Sequence, residues 1–296
     1  MRTDPLRIHI LGTGAMAGFF GARLARVADV TLAGTWMEGL AAIARRGIVL
    51  ETPDGEEAFG VRAVRLGTPL PPADLVLVLV KAWQTDRVAS EVPALTARGG
   101  HVLTLQNGLG NVEKLGARAL LGVTSQGATL TGPGRVRPCG DGPTHIAGPD
   151  SLAAVFRSAG LDARAVDPAR GASLAWGKLA VNAGINALSA ILNVPNGELL
   201  ARPEARTLME PAANEVAAVA RAKGIALPFG DAAAEARRVA LATAANLSSM
   251  LQDVRRGAPT EIDAINGAVV REGARLGVPT PANETLLRLV AARAAA

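Results

Sequence analysis

The stretch Ile8-His-Ile-Leu-Gly12-Thr-Gly14-Ala-Met-Ala17-Gly-Phe-Phe20 decides the fold. Ile8 to Leu11 is an apolar run of strand length. It ends in Gly12-x-Gly14-x-x-Ala17, and Phe19, Phe20, Leu24 and Val27 then continue a helical pattern. In a strand–turn–helix unit of this kind the first glycine makes the tight turn and the second lets the backbone approach a pyrophosphate. The third position packs helix on strand, and the helix N-terminus faces the phosphates. Gly12, Thr13, Gly14, Ala15, Met16 and Ala17 are therefore candidate dinucleotide-binding residues. A glycine-rich turn that merely packs tightly is the bland alternative, and the surrounding βαβ pattern argues against it. No phosphate loop of the other common kind competes, because Trp176-Gly-Lys178-Leu lacks the upstream glycine spacing and the Ser/Thr.

Outward from that loop, Val30 to Ala33, Val61 to Val64, Leu75 to Val80 and His101 to Leu105 read as strands, and Met37 to Arg46 as a helix. Leu75 to Val80 is apolar at every position, which suits a strand covered on both faces. The Thr-, Gly- and Pro-rich stretch from Gly122 to Gly148 suggests short antiparallel strands. Beyond Asp167-Pro168 the pattern is helical: Leu174 to Leu192, Pro203 to Lys223, Asp231 to Leu251, Glu261 to Leu276 and Pro281 to Arg293. The expectation is an α/β doubly wound domain of Rossmann type over residues 1–168 and an all-α domain over 169–296, with the cleft between them as the default active site.

The scarce residues narrow the chemistry. The 296-residue chain is 49% hydrophobic and 19% charged, enough to bury a sizeable core. It has no Tyr, one Cys and three His, and of 31 basic residues only Lys81, Lys114, Lys178 and Lys223 are lysines. A phenolic proton donor is excluded, as are a disulfide framework and a multi-Cys metal site, so no metal is expected. The formal charge of +5 comes from scattered arginines with few aromatics, which does not read as a nucleic-acid surface. No run approaches the length needed to span a bilayer, and Met1 to Arg7 is polar, so no membrane association and a cytoplasmic protein are expected.

Lys178, Asn182 and Asn186 recur at i, i+4 and i+8 and share one face of an otherwise apolar helix. Such a row has many donors to satisfy, and an oxygen-rich ligand would satisfy them; a solvent-facing stripe or interhelical hydrogen bonds are the alternative. Lysine also matters because, when desolvated, it releases a proton near neutral pH, whereas Arg does not. Lys81 stands at the C-terminal end of the doubly buried strand, where ligands sit in this fold class. Lys114 and Lys223 fall at positions expected to be solvated. The end of the second strand, Leu32-Ala-Gly-Thr35-Trp36, has no carboxylate to hold a ribose 2′-hydroxyl, which leans toward NADP, yet it offers no Arg for a 2′-phosphate. Thr260 could cap a helix that has Glu261 in its first turn.

Together these segments resemble the ketopantoate reductase (2-dehydropantoate 2-reductase) family. The resemblance rests on the glycine loop, Lys81-Ala-Trp-Gln84, Gln106-Asn107-Gly108, Trp176-Gly-Lys178-Leu-Ala-Val-Asn182-Ala-Gly-Ile-Asn186, Pro195-Asn196-Gly-Glu-Leu199, Asn246-Leu-Ser-Ser249-Met-Leu-Gln-Asp253 and Thr260-Glu261-Ile-Asp263-Ala-Ile-Asn266-Gly267, in that order. It implies C-terminal helices like those of 6-phosphogluconate dehydrogenase and NADPH-dependent reduction of a small 2-oxo acid, 2-dehydropantoate, on the route to pantothenate and coenzyme A. By position, Lys178 matches the family's proton donor and Glu261 an acidic residue that orients substrate and borders the cofactor. Asn107, Asn182, Asn186, Asn196, Asn246 and Ser249 match substrate positions. Lys81, Gln84, Asn107 and Ala128 match cofactor positions. Thr35 stands where many members carry an Arg, which leaves NADH open beside NADPH. Two other readings stay open: a related two-domain dehydrogenase acting on another 2-oxo or 3-hydroxy acid, and a non-catalytic NADP-binding sensor. A homodimer through the helical domain is a further possibility.

Overall fold

The computed structural model describes residues 5–294. The chain forms two compact units: residues up to 106 with 111–171, and residues 107–110 with those from 172 onward.

The first unit runs β1 (Arg7–Leu11), α1 (Ala15–Leu24), β2 (Asp29–Gly34), α2 (Met37–Arg46), β3 (Ile48–Thr52), β4 (Gly55–Phe59), β5 (Arg62–Arg65) and β6 (Ala73–Val78). A 3-10 turn at Ala82–Gln84 leads into α3 (Thr85–Ala89) and α4 (Val92–Leu95). Then come β7 (Thr96–Thr104), α5 (Asn111–Leu115), β8 (Ala119–Thr124), β9 (Gly127–Gly132), β10 (Arg135–Gly140), β11 (Thr144–Ala147), α6 (Asp150–Ser158) and β12 (Ala163–Val166). The main sheet has the order β12-β11-β8-β7-β6-β1-β2-β5. Its strands are parallel except where β11 pairs antiparallel with β8. β1 lies between β2 and β6, so the chain reverses direction across the sheet there and opens a crevice at the C-terminal ends of these strands. The apolar run expected as a strand over Leu75–Val80 is in β6 only as far as Val78, and there it has its expected cause. Leu75 and Leu77 pack in one layer with Ile10 and Phe20, while Val76 and Val78 pack in the other with Leu11 and Val88.

A second sheet, ordered β4-β3-β10-β9, lies across α1. Helix α1 is thus covered on two sides, which is why Phe19 and Phe20 are both buried although adjacent. Its small residues permit the approach: a Cβ on Gly18 would come within 2.6 Å of Val136 Cγ2. The antiparallel strands expected in the Gly122–Gly148 stretch are β9 with β10 and β8 with β11. The β3–β4 hairpin was not expected from the sequence.

In the second unit α7 (Pro168–Leu192), of which residues from 172 belong here, is followed by a 3-10 turn at Asn196–Leu199. The rest is α8 (Pro203–Ala222), α9 (Ala232–Ala242), α10 (Ser249–Arg255), α11 (Asn266–Leu276) and α12 (Pro281–Ala294). Ala180, Ala183, Ala187 and Ala190 of α7 are fully buried in a core shared with Met209, Ala213 and Val216 of α8 and Leu286 and Val290 of α12. A buried polar network ties these helices together. Asn266 Nδ2 donates to Ala183 O (3.2 Å) and to Asn283 Oδ1 (3.0 Å), and Asn283 Nδ2 donates to Ala212 O (3.0 Å) and Glu215 Oε2 (2.7 Å).

Three helices differ from expectation, the first being α7, which begins at Pro168 rather than at Leu174. Asp231–Leu251 is not continuous: α9 ends at Ala242, and α10 restarts after Ser248, whose Oγ accepts from Leu251 N (3.1 Å) as an N-cap. The helix expected from Glu261 begins at Asn266, leaving Glu261 in the turn before it.

Candidate functional site

In the first unit a cleft opens at the C-terminal ends of β1, β2 and β6. It is floored by Gly12, Thr13 and Gly14 and walled by Thr35 and Trp36 on one side and by Lys81, Gln84 and Arg87 on the other. Gly12 has φ +135°, and a Cβ there would lie 2.9 Å from the Leu79 carbonyl, so only glycine fits this turn. Nothing lies within 4 Å of where a Gly14 Cβ would stand, so the backbone there faces open space. Gly14 is also the N-cap of α1, with no side-chain cap and no acid in the first turn. The first-turn N–H groups of α1 and its positive dipole end are therefore left for an anion, and these features fit a dinucleotide pyrophosphate.

Of the other cofactor positions expected from the sequence, Lys81 and Gln84 share this cleft. Ala15, Met16 and Ala17 form the first turn of α1, with Ala17 buried in the core, and Ala128 lies on β9 packed against the same core; none of the four lines the cleft. Trp36 and Arg87 line it without having been expected. Arg87 sits on the short helix just after the Lys81–Gln84 motif, and that position was the one clue to it.

The second unit carries a separate polar cluster. Lys178, Asn182 and Asn186 lie on α7, half-buried, half-buried and buried in turn. Burial pushes the Lys178 ammonium down from an ordinary 10.5 to about 8, and the Glu261 carboxylate opposes that shift. The carboxamides of Asn182 and Asn186 make no hydrogen bond among the described residues, which leaves their polar groups to a ligand. Glu261 is 7% exposed and accepts a long hydrogen bond from Asn107 Nδ2 (3.4 Å). Asn107 reaches it because the 107–110 loop is fastened to this unit. Leu109 N donates to Ala264 O (3.0 Å), and Gly108, at φ +82°, lies so close that a Cβ would come within 2.7 Å of the Ala264 carbonyl carbon.

Ser249 opens α10, half-buried, beside the capping Ser248, which also accepts from Ser189 Oγ (2.6 Å). Asn196 is buried; its Nδ2 donates to Thr243 Oγ1 (2.9 Å), and its N donates to Asn246 O (3.0 Å). Asn246 therefore supports this cluster through its carbonyl, while the residue itself is exposed. The two lysines expected to be solvated are ion-paired instead: Lys114 with Asp86 (2.7 Å) and Lys223 with Glu272, the latter also lying over the Trp176 ring. Among the described residues no group of three or more His, Cys, Asp or Glu could hold a metal, and no helix is long and apolar enough to cross a membrane.

Comparison with known proteins spans both units. A family model described as "Ketopantoate reductase PanE/ApbA" matches residues 8–150, and its C-terminal counterpart matches residues 172–294. The 2-dehydropantoate 2-reductase of Archaeoglobus fulgidus is 37% identical over 300 residues, covering 96% of each chain. The crystal structure of a PanE/ApbA family ketopantoate reductase from Ralstonia eutropha JMP134 matches with a TM-score of 0.90 at 35% identity, covering 98% of this chain and 99% of that one. D-mandelate dehydrogenase, solved with NADH and anilino(oxo)acetate, matches with a TM-score of 0.91 at 29% identity over the same shares.

Proposed function

The chain belongs to the ketopantoate reductase family, and from that premise we propose how its residues reduce 2-dehydropantoate to pantoate, the precursor of pantothenate. The protein is an NAD(P)H-dependent oxidoreductase. The observation that carries the mechanism is the desolvated Lys178 ammonium, brought to about 8 and held beside Glu261. When bound, a dihydronicotinamide supplies the hydride that reaches the C2 carbonyl carbon of the substrate. Lys178 Nζ donates a hydrogen bond to the ketone oxygen, stabilises the charge that develops on it and passes it the proton. The Nζ–H bond breaks, the alcohol O–H forms, and the neutral amine is reprotonated from solvent. A group poised near 8 does both readily, whereas an unperturbed lysine gives up its proton more reluctantly.

Asn182 and Asn186, on the same face of α7, offer free carboxamides to the substrate's carboxylate and hydroxyl, and Ser249 adds a hydroxyl near the start of α10. Fixing those ends orients the ketone over Nζ. Asn107 and Asn196 complete the polar wall; Asn196 is held by Thr243 and Asn107 by Glu261. NADPH is the proposed cofactor, because no carboxylate lines the dinucleotide cleft to hold a ribose 2′-hydroxyl.

The likeness to D-mandelate dehydrogenase favours a second substrate, an aryl 2-oxo acid. The test is NADPH oxidation with 2-dehydropantoate and with phenylglyoxylate, compared by kcat/KM. The proposal expects 2-dehydropantoate to be preferred by about four orders of magnitude, the scale set when a site's hydrogen-bonding groups are left without the substrate hydroxyl they bind. Preference for phenylglyoxylate would move the assignment to the second reading. NADPH binding without turnover of either acid would point to a sensor.

A further inference from the structure

The cleft of the first unit has an unusual distribution of charge. Its lining carries two charged residues, Lys81 and Arg87, and both are cations. The acids nearby in sequence are engaged elsewhere: Asp86 pairs with Lys114 (2.7 Å), and Glu91 accepts from Gly67 N (3.1 Å). Arg87 itself makes no hydrogen bond or ion pair among the described residues. In the same unit Arg26, Arg135, Arg137 and Arg157 all hold carboxylates. A guanidinium on a cleft wall with no protein partner is available to a ligand.

The opposite wall supports the same reading. Thr35 ends the β2 side without a charge, and Trp36 follows it. A Cβ on Gly39 would lie 2.6 Å from the indole carbon Cζ3, so the ring lies against the first turn of α2, a flat apolar surface for a purine. The pyrophosphate has its own partners in the uncapped N-terminus of α1. A second phosphate in this cleft therefore needs a different cation.

We propose that Arg87, entering from the β6 side, holds the 2′-phosphate of the cofactor's adenosine ribose and sets NADPH over NADH in place of a residue at the end of β2. This rests on the reading of the cleft as a dinucleotide site. The planar fork of the guanidinium matches a phosphate through two parallel hydrogen bonds, which a ribose hydroxyl cannot reciprocate.

The experiment is calorimetric titration of the full chain with adenosine 2′,5′-bisphosphate and with 5′-AMP, so that no turnover is required. Wild type, Arg87→Ala, Arg87→Gln and Arg65→Ala are compared, each checked by thermal melting. Arg65 is an exposed cation at the end of β5, outside the cleft lining, and serves as the control for bulk charge. Wild type binds the bisphosphate at least about tenfold more tightly than 5′-AMP, the scale of one charge-assisted contact. Both Arg87 variants lose that preference while 5′-AMP affinity stays within about twofold, and Arg65→Ala keeps it. A preference that survives in both Arg87 variants, or falls equally in Arg65→Ala, overturns the assignment to Arg87 and leaves dinucleotide binding intact. Equal wild-type affinity for the two nucleotides overturns it as well. Failure of wild type to bind either nucleotide overturns the dinucleotide reading itself.

Discussion

At the scale of single residues, Lys178, the proposed proton donor, is subject to two opposed influences. Burial lowers its ammonium to about 8 and the carboxylate of Glu261 holds the proton on. The sign of the pH dependence follows. Reduction needs the ammonium, so kcat/KM for the oxo acid falls as pH rises through about 8. Oxidation of pantoate needs the neutral amine and rises through the same range. Replacing Glu261 with Gln removes the influence that raises the Lys178 value, so the descending limb of the reduction profile moves toward lower pH. A pH–rate profile of the Glu261→Gln variant with an unmoved or alkaline-shifted limb would show that the limb belongs to another group. Arg87 is the second residue on which the account depends, and its signature is a difference between two nucleotides rather than a rate.

At the scale of elements, the 107–110 loop and the start of α12 show how local packing holds the helical unit's polar groups in place. Gly108 sits at φ +82° against the Ala264 carbonyl. Gly108→Ala introduces both left-handed strain and a clash, of about 1–3 kcal/mol or more. It is expected to lower the urea midpoint and, by shifting Asn107 away from Glu261, to raise KM for the oxo acid; a variant with wild-type midpoint and KM would refute the fastening role. At α12, Glu215 Oε1 accepts from Ala282 N (2.8 Å) and Oε2 from Asn283 N (2.9 Å), a carboxylate from α8 capping the positive end of another helix. Asn283, fully buried, bonds the same carboxylate and Asn266. Asn283→Ala leaves Asn266 Nδ2 with Ala183 O alone and takes the side-chain donor from Ala212 O and Glu215 Oε2, and is expected to cost about 1–3 kcal/mol in denaturant unfolding, with the nucleotide affinity of the first unit unchanged.

At the scale of the whole molecule, the parts legible in the sequence were those where one period dominated. The glycine loop, the doubly buried run of β6 and the i, i+4, i+8 row on α7 each had a single physical cause and stand where the pattern put them. The β3–β4 hairpin was hidden because β4 is exposed except at Phe59, so Gly55-Glu-Glu-Ala-Phe59 carries no alternating apolar signal. The adjacent buried pair Phe19-Phe20 was the available hint that something covers α1 on its second side. The break between α9 and α10 lacks Gly and Pro, and the hydroxyl cap of Ser248 alone restarts the helix. Arg87 carries no sequence signal of its own, because the fingerprint of this fold marks the end of β2, whereas the cleft is also walled from beyond β6.

The central claim, that this chain reduces 2-dehydropantoate with Lys178 as proton donor, is tested most directly by turnover of that oxo acid with NADPH in wild type and in Lys178→Ala, alongside NADPH binding to each. A fall in kcat of about 10²–10⁴-fold with NADPH affinity unchanged is expected, and a kcat near that of wild type in Lys178→Ala would rule Lys178 out as the donor.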